Sequence, residues 1–182
     1  TDIANASNSY VITQTDSETP TTNTITVQDD ADVSITLENI NISTSTCAFG
    51  ISAGSKVALT LSGANSLQSG SDRAGLEVPE GAELVVSGSA ADTLNVNGGD
   101  YAAGIGGGRS SSGGVIIIEG GVITATGGNA AGGTGSGAGI GGGTGGSSGI
   151  ILIQDGEVSA AAAASSYSAG IGGGDNGEID SI

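Results

Sequence analysis

Ala103-Gly104-Ile105-Gly106-Gly107-Gly108 returns unchanged as residues Ala138 to Gly143 and again as Ala169 to Gly174. Two looser copies precede it, Phe49-Gly50-Ile51-Ser52-Ala53-Gly54 and Ala74-Gly75-Leu76-Glu77-Val78-Pro79. Aligned on Gly50, Gly75, Gly104, Gly139 and Gly170, the copies stand 25, 29, 35 and 31 residues apart. A fixed motif on a variable period puts the insertions in loops. It excludes a coiled coil, whose heptads would be strict. No segment keeps the i, i+3, i+4 apolar spacing of the helical repeats either.

Outward from the motif, the same order recurs in each period. A first strand-like run comes as Val33-Ser34-Ile35-Thr36-Leu37, Val57-Ala58-Leu59-Thr60-Leu61, Glu83-Leu84-Val85-Val86, Val115 to Ile118 and Ile150 to Ile153. In the later periods a turn follows, Glu119-Gly120-Gly121 or Gln154-Asp155-Gly156. A second run then appears, as in Ile40-Asn41-Ile42, Thr93-Leu94-Asn95-Val96, Val122 to Thr126 and Val158-Ser159-Ala160. A polar loop leads to the Ala-Gly-Ile segment as a third strand. Three short strands per turn, all in one sense, predict an all-β parallel β-helix of about five to seven coils, stacked about 4.8 Å apart. Alternation places Ile35, Leu37, Leu59, Leu61, Ile123 and Ala125 inside. Crossovers between parallel strands are overwhelmingly right-handed, so a right-handed helix is expected. Glycine is expected at the corners because it adopts φ > 0 without a Cβ penalty.

One domain is expected over residues 1–182. Residues 1–24 form a lead-in or cap, 25–97 compact coils, and 98–182 coils with glycine-rich loops; 29 of the 36 glycines lie from Gly98 onward. Glu178-Ile179-Asp180-Ser181-Ile182 falls where a further coil would begin. The expectation is therefore that the chain is cut from a longer protein, or that its end or edge pairs with another chain, since open solenoid ends self-associate.

The composition fits a narrow, repeated core. Phe49, Tyr10, Tyr101 and Tyr167 are the only aromatics, and Trp, Met and His are absent. Net charge is −16, with Lys56, Arg73 and Arg109 the only strong cations. Nucleic-acid binding needs clustered Lys and Arg and is excluded. No apolar stretch reaches membrane-spanning length, so membrane insertion is not expected. Cys47 stands alone, which precludes an intrachain disulfide, and reads as a small buried hydrophobe rather than a reactive thiol. Low Lys with high Ser, Thr, Asn and Gly favours export.

The strand–Gly-Gly–Val-Ile-Thr-Ala-Thr-Gly-Gly–loop–Ala-Gly-Ile order, running from Val33 to Gly174, resembles the carbohydrate-binding right-handed β-helix domains of clostridial cell-surface proteins. Those domains are pectate-lyase-like but non-catalytic. The matching pieces are Leu59-Thr60-Leu61-Ser62-Gly63-Ala64-Asn65-Ser66-Leu67, Leu84-Val85-Val86-Ser87-Gly88, Glu119-Gly120-Gly121-Val122-Ile123-Thr124-Ala125 and the Ala-Gly-Ile corners. The resemblance implies an extracellular, cell-surface location and binding of plant-type or acidic polysaccharide with calcium.

Catalysis is not expected. Hydrolysis on this scaffold would pair carboxylates, typically with a His, and serine chemistry lacks a His base. Calcium wants several oxygen ligands. Asp72 with Asp100 is the first candidate metal pair, because stacked coils bring the two together. Tyr101 and Tyr167 both precede an Ala-Gly-Ile corner and are the candidate glycan-binding aromatics. The Thr-x-Thr segments do not recur in every coil, which argues against an ice-binding array. Two readings remain: a glycan-binding surface module, and a structural spacer or adhesin stalk with no glycan ligand.

Overall fold

A computed structural model of the chain describes residues 2–3 (backbone only), 8–130, 135–163 and 167–182. Parts of the lead-in and of the loop from Gly127 to Gly137 thus lie outside the described residues. The described residues hold eighteen strands. After β1 (Asp2–Ile3), β2 (Asn8–Thr13) and β3 (Ile25–Val27) come five complete turns of three strands. The first two are β4 (Asp32–Glu38), β5 (Asn41–Ser43), β6 (Phe49–Ile51), and β7 (Lys56–Ser62), β8 (Ala64–Gln68), β9 (Leu76–Glu77). The third is β10 (Glu83–Ser87), β11 (Thr93–Asn97), β12 (Ile105–Gly106), and the fourth β13 (Val115–Ile118), β14 (Val122–Thr126), β15 (Ile140–Gly141). The last is β16 (Ile150–Ile153), β17 (Glu157–Ala161), β18 (Ile171–Gly172).

Strands of like position pair in parallel. Sheet B joins β2, β4, β7, β10, β13 and β16; sheet C joins β5, β8, β11, β14 and β17. Sheet A joins β1, β3, β6, β9, β12, β15 and β18. In the turn of β2 and β3, one parallel bridge, Thr21 to Ile42, stands in for the sheet C strand. The chain is therefore a three-strand-per-coil parallel β-helix, as the repeat predicts.

Parallel stacking turns the alternation of each strand into ladders of like residues. Val33, Val57, Leu84, Ile116 and Ile151 form one buried column, and Ile35, Leu59, Val86 and Ile118 another. Sheet A adds Ile25, Phe49, Leu76, Ile105 and Ile140. Each inner side chain lies on its counterpart one coil away, so the apolar area is buried with short strands and few aromatics. The six residues expected inside, from Ile35 to Ala125, are all buried.

Two expectations are corrected. Phe49, not Ile51, pairs with Leu76, and Gly50 pairs with Glu77. The first degenerate copy is thus aligned two residues out. A two-residue slip keeps every side chain on its face, which is why the pattern alone concealed it. The second correction concerns the motif glycines. Only the one after Ile sits at left-handed φ, +130° at Gly106, +134° at Gly141 and +143° at Gly172. Gly104, Gly107 and Gly108 are needed because a Cβ on each would run into the backbone of a neighbouring coil or loop. The motif is mainly a device for close coil stacking.

Buried polar residues lock the corners. Ser55 Oγ accepts from Ala31 N–H at 3.1 Å and donates to the Gln28 carbonyl at 2.7 Å. Ser69 likewise joins Ala48 N–H (2.8 Å) to the Ala74 carbonyl (2.7 Å). Asn65 takes an inward place in sheet C beside Leu94, and its Oδ1 accepts from Ile40 N–H at 3.0 Å. Buried polar groups are tolerated only when so paired. At the far end, inward-facing Ile153 is 40% exposed, and Ser181 forms a parallel bridge to Ile150 in line with sheet B.

Candidate functional surface

The three outer faces differ in chemistry. Sheet A is covered. The loops entering and leaving it meet through Thr144 N–H donating to the Tyr101 carbonyl at 2.7 Å, and Gly106 and Gly141 beneath them are buried. Sheet B changes along its length. Asp32, Lys56 and Glu83 stack at its charged edge, giving way in the same column to Val115 and Ile150. Leu152 and Ile150 are about half exposed there.

Sheet C is open and almost uncharged. One outward column runs Asn41, Ser66, Asn95, Thr124, Ser159; the next runs Ser43, Gln68, Asn97, Thr126, Ala161. Glu157 is the only charged residue in the strands of this sheet, in a chain carrying 19 carboxylates. Asn41 and Gln68 donate to nearby carbonyls of Ser17 and Ser69. Among the described residues, Ser66, Asn95, Asn97, Thr124, Thr126 and Ser159 spend no side-chain hydrogen bond inside the protein. Asn offers both donors and an acceptor, and each hydroxyl offers one donor and two acceptor positions. The sheet therefore presents a regular, unspent hydrogen-bonding grid.

The residues chosen from sequence lie elsewhere, in the loops that lead from sheet C into sheet A. Asp72 and Asp100 are neighbours on successive coils, joined by Asp72 N–H donating to the Asp100 carbonyl at 2.9 Å. Their carboxylates take different partners. Asp72 pairs with Arg109 at 3.3 Å, and Asp100 accepts from Ser71 Oγ at 3.3 Å. Arg109 is thus the ion-pair partner of the Asp72 carboxylate. Among the described residues no three His, Cys, Asp or Glu side chains form a group that could hold a metal ion.

Tyr101 holds φ = +68°, which is rare for an aromatic residue. The Arg109 guanidinium lies 4.1 Å from its ring centroid, so one ring face is already taken by a cation–π contact. Tyr167 stands at the matching place two coils on, four residues ahead of its corner Ile, and is 85% exposed. Of the two tyrosines, only Tyr167 presents a largely free aromatic surface.

All three cations are engaged: Lys56 with Glu83 (3.3 Å), Arg73 with Glu77 (3.0 Å) and Arg109 with Asp72. Burial pushes the Glu77 carboxyl above the ordinary range, opposed by Arg73. Burial, then the Glu77 charge, pushes the Cys47 thiol up to about 11. Such a thiol stays protonated at neutral pH and is a poor nucleophile.

These features define the chain as a parallel β-helix repeat protein with one almost uncharged polar face. Comparison with protein-family models, curated proteins and solved structures finds no match for it. Sequence reasoning passed over the sheet C grid. Its signal was present in the second strands of the third and fourth coils, where Asn95, Asn97, Thr124 and Thr126 occupy the outward places without a charge.

Proposed function

We propose that this β-solenoid is an extracellular, cell-surface module that binds polysaccharide without catalysis. The observation that carries the reading is the outer face of sheet C. It supplies paired columns of hydroxyl and amide groups whose hydrogen-bonding capacity is not spent within the protein. A polysaccharide is a chain of repeated hydroxyls, and a flat grid of donors and acceptors is its natural complement. Exposed Tyr167 adds an aromatic surface of the kind that stacks on sugar rings. The composition, poor in Lys and rich in Gly, Ser, Thr and Asn, supports the extracellular setting.

The alternative is a spacer or adhesin stalk with no glycan ligand. The stacked apolar ladders favour it, since they make a stiff rod independently of any surface chemistry. Pull-down against a panel of neutral and acidic polysaccharides, with and without calcium, separates the two. Retention of any glycan supports the module. No retention in any condition leaves the spacer, and release of unsaturated or reducing-end product from pectin would overturn the non-catalytic reading.

A further inference from the structure

We infer that the polysaccharide is neutral and lies along the solenoid axis on the outer face of sheet C. The inference rests on the glycan-binding reading and narrows it, in a direction opposite to the acidic ligand that the family resemblance implies. Charge decides the class. The molecule carries −16, and Lys56, Arg73 and Arg109 are each tied to a carboxylate at 3.3 Å or less. A polyuronate approaching this surface meets a repulsive field and no unpaired cation, an effect that grows as salt is lowered. The sheet C face asks for the reverse. Its columns are hydroxyls and amides, and the one carboxylate in its strands is Glu157 in the last coil.

Direction follows from the ladders. Ser66, Asn95, Thr124 and Ser159 succeed one another coil by coil, with Asn97 and Thr126 beside them. Coils stack about 4.8 Å apart, so a chain laid along the axis meets a fresh donor–acceptor pair at every coil. Amides share these columns with hydroxyls. The surface is therefore not the uniform threonine array that would suit ordered water.

The test uses the whole 182-residue chain in affinity electrophoresis. The probes are soluble neutral glucan, mannan and xylan, and polygalacturonate with and without calcium. Each is run at low salt and at about 1 M salt, where the Debye length falls to about 3 Å. The expected result is retardation by at least one neutral polymer, changed less than about twofold by salt because no charge pairing is involved. Polygalacturonate should give none at low salt. Asn95→Ala with Thr124→Ala should weaken neutral binding about tenfold, the loss of two ordinary hydrogen bonds. Ser34→Ala with Thr36→Ala, on the outer face of sheet B, should leave it unchanged. Asn95→Asp, which keeps the side-chain shape and adds a charge, should also weaken it, and covers the case in which the alanine pair disturbs the sheet.

Stronger retardation by polygalacturonate than by every neutral polymer overturns the inference but leaves the glycan-binding reading standing. Equal loss from the sheet B and sheet C pairs overturns the placement. Silence from every polymer overturns both the inference and the reading beneath it.

Discussion

Three glycines within five residues separate the two reasons a solenoid needs glycine. Gly145 has φ = +77° and open space where a Cβ would go. Gly145→Ala therefore costs only left-handed strain, about 1–2 kcal/mol. Gly143 is not at left-handed φ, but a Cβ there would press on the backbone of Gly108 and approach the Tyr101 carbonyl to 3.0 Å. Gly143→Ala should cost about 1–3 kcal/mol, as overpacking does, because the obstruction is backbone that cannot swing aside. Gly141 combines both, with φ = +134° and the Gly172 carbonyl in the way. Gly141→Ala should therefore cost about 2–6 kcal/mol, from roughly 1–3 of backbone strain and a similar overpacking term. Against a total of about 5–15 kcal/mol for a domain, that is a large fraction. Urea unfolding followed by far-UV circular dichroism, with linear extrapolation, gives the three values. If Gly145→Ala costs as much as Gly141→Ala, the motif serves φ alone and the close-stacking argument is wrong. A Gly143→Ala variant within about 0.5 kcal/mol of the parent, the range of an ordinary surface change, would refute it as directly.

Other outcomes follow from the corners and titrating groups. Asn65→Leu should destabilise by about 1–3 kcal/mol although it adds apolar surface beside Leu94, because Ile40 N–H loses its buried acceptor; thermal melts of the variant check this. Cys47, with its thiol raised to about 11, should react with a disulfide reagent at pH 8 far more slowly in the native protein than in urea; equal rates would show the thiolate to be accessible. The Asp92 carboxyl is held below its ordinary value by the Ser89 hydroxyl and N–H and by Gly63 N–H. A depressed carboxyl stabilises above its unfolded pKa, near 3.9, and that contribution is lost as pH falls through the lower folded value. The gap in melting temperature between the parent and Asp92→Asn should then be widest near neutrality and close in strong acid.

Much of the fold was legible because a parallel solenoid writes its architecture into the chain. Every coil repeats the order strand, strand, strand, and inner residues such as Ile35 and Leu59 alternate with small or polar outer ones. The Ala-Gly-Ile corner could be followed where its glycines were intact. It was lost by two residues at Phe49, where Gly50 follows the inward residue and no glycine precedes it. The candidate aromatic and acidic residues were legible as positions but not as partners. Arg109 and Asp72 are 37 residues apart, and nothing local predicts that they share an ion pair over the ring of Tyr101.

The sequence by itself determined the coil: three short strands, an aliphatic interior and a surface too acidic for nucleic acid. Those properties depend on neighbours a few residues apart. Only the tertiary structure decided which residues stack. Asn95 and Thr124 each read alone as an ordinary solvent-facing residue of a strand. Parallel pairing between coils sets them side by side, and from that contact alone the hydrogen-bonding columns of sheet C arise. The same stacking explains the motif glycines, since close approach between coils is a property of two segments and cannot be seen in either one.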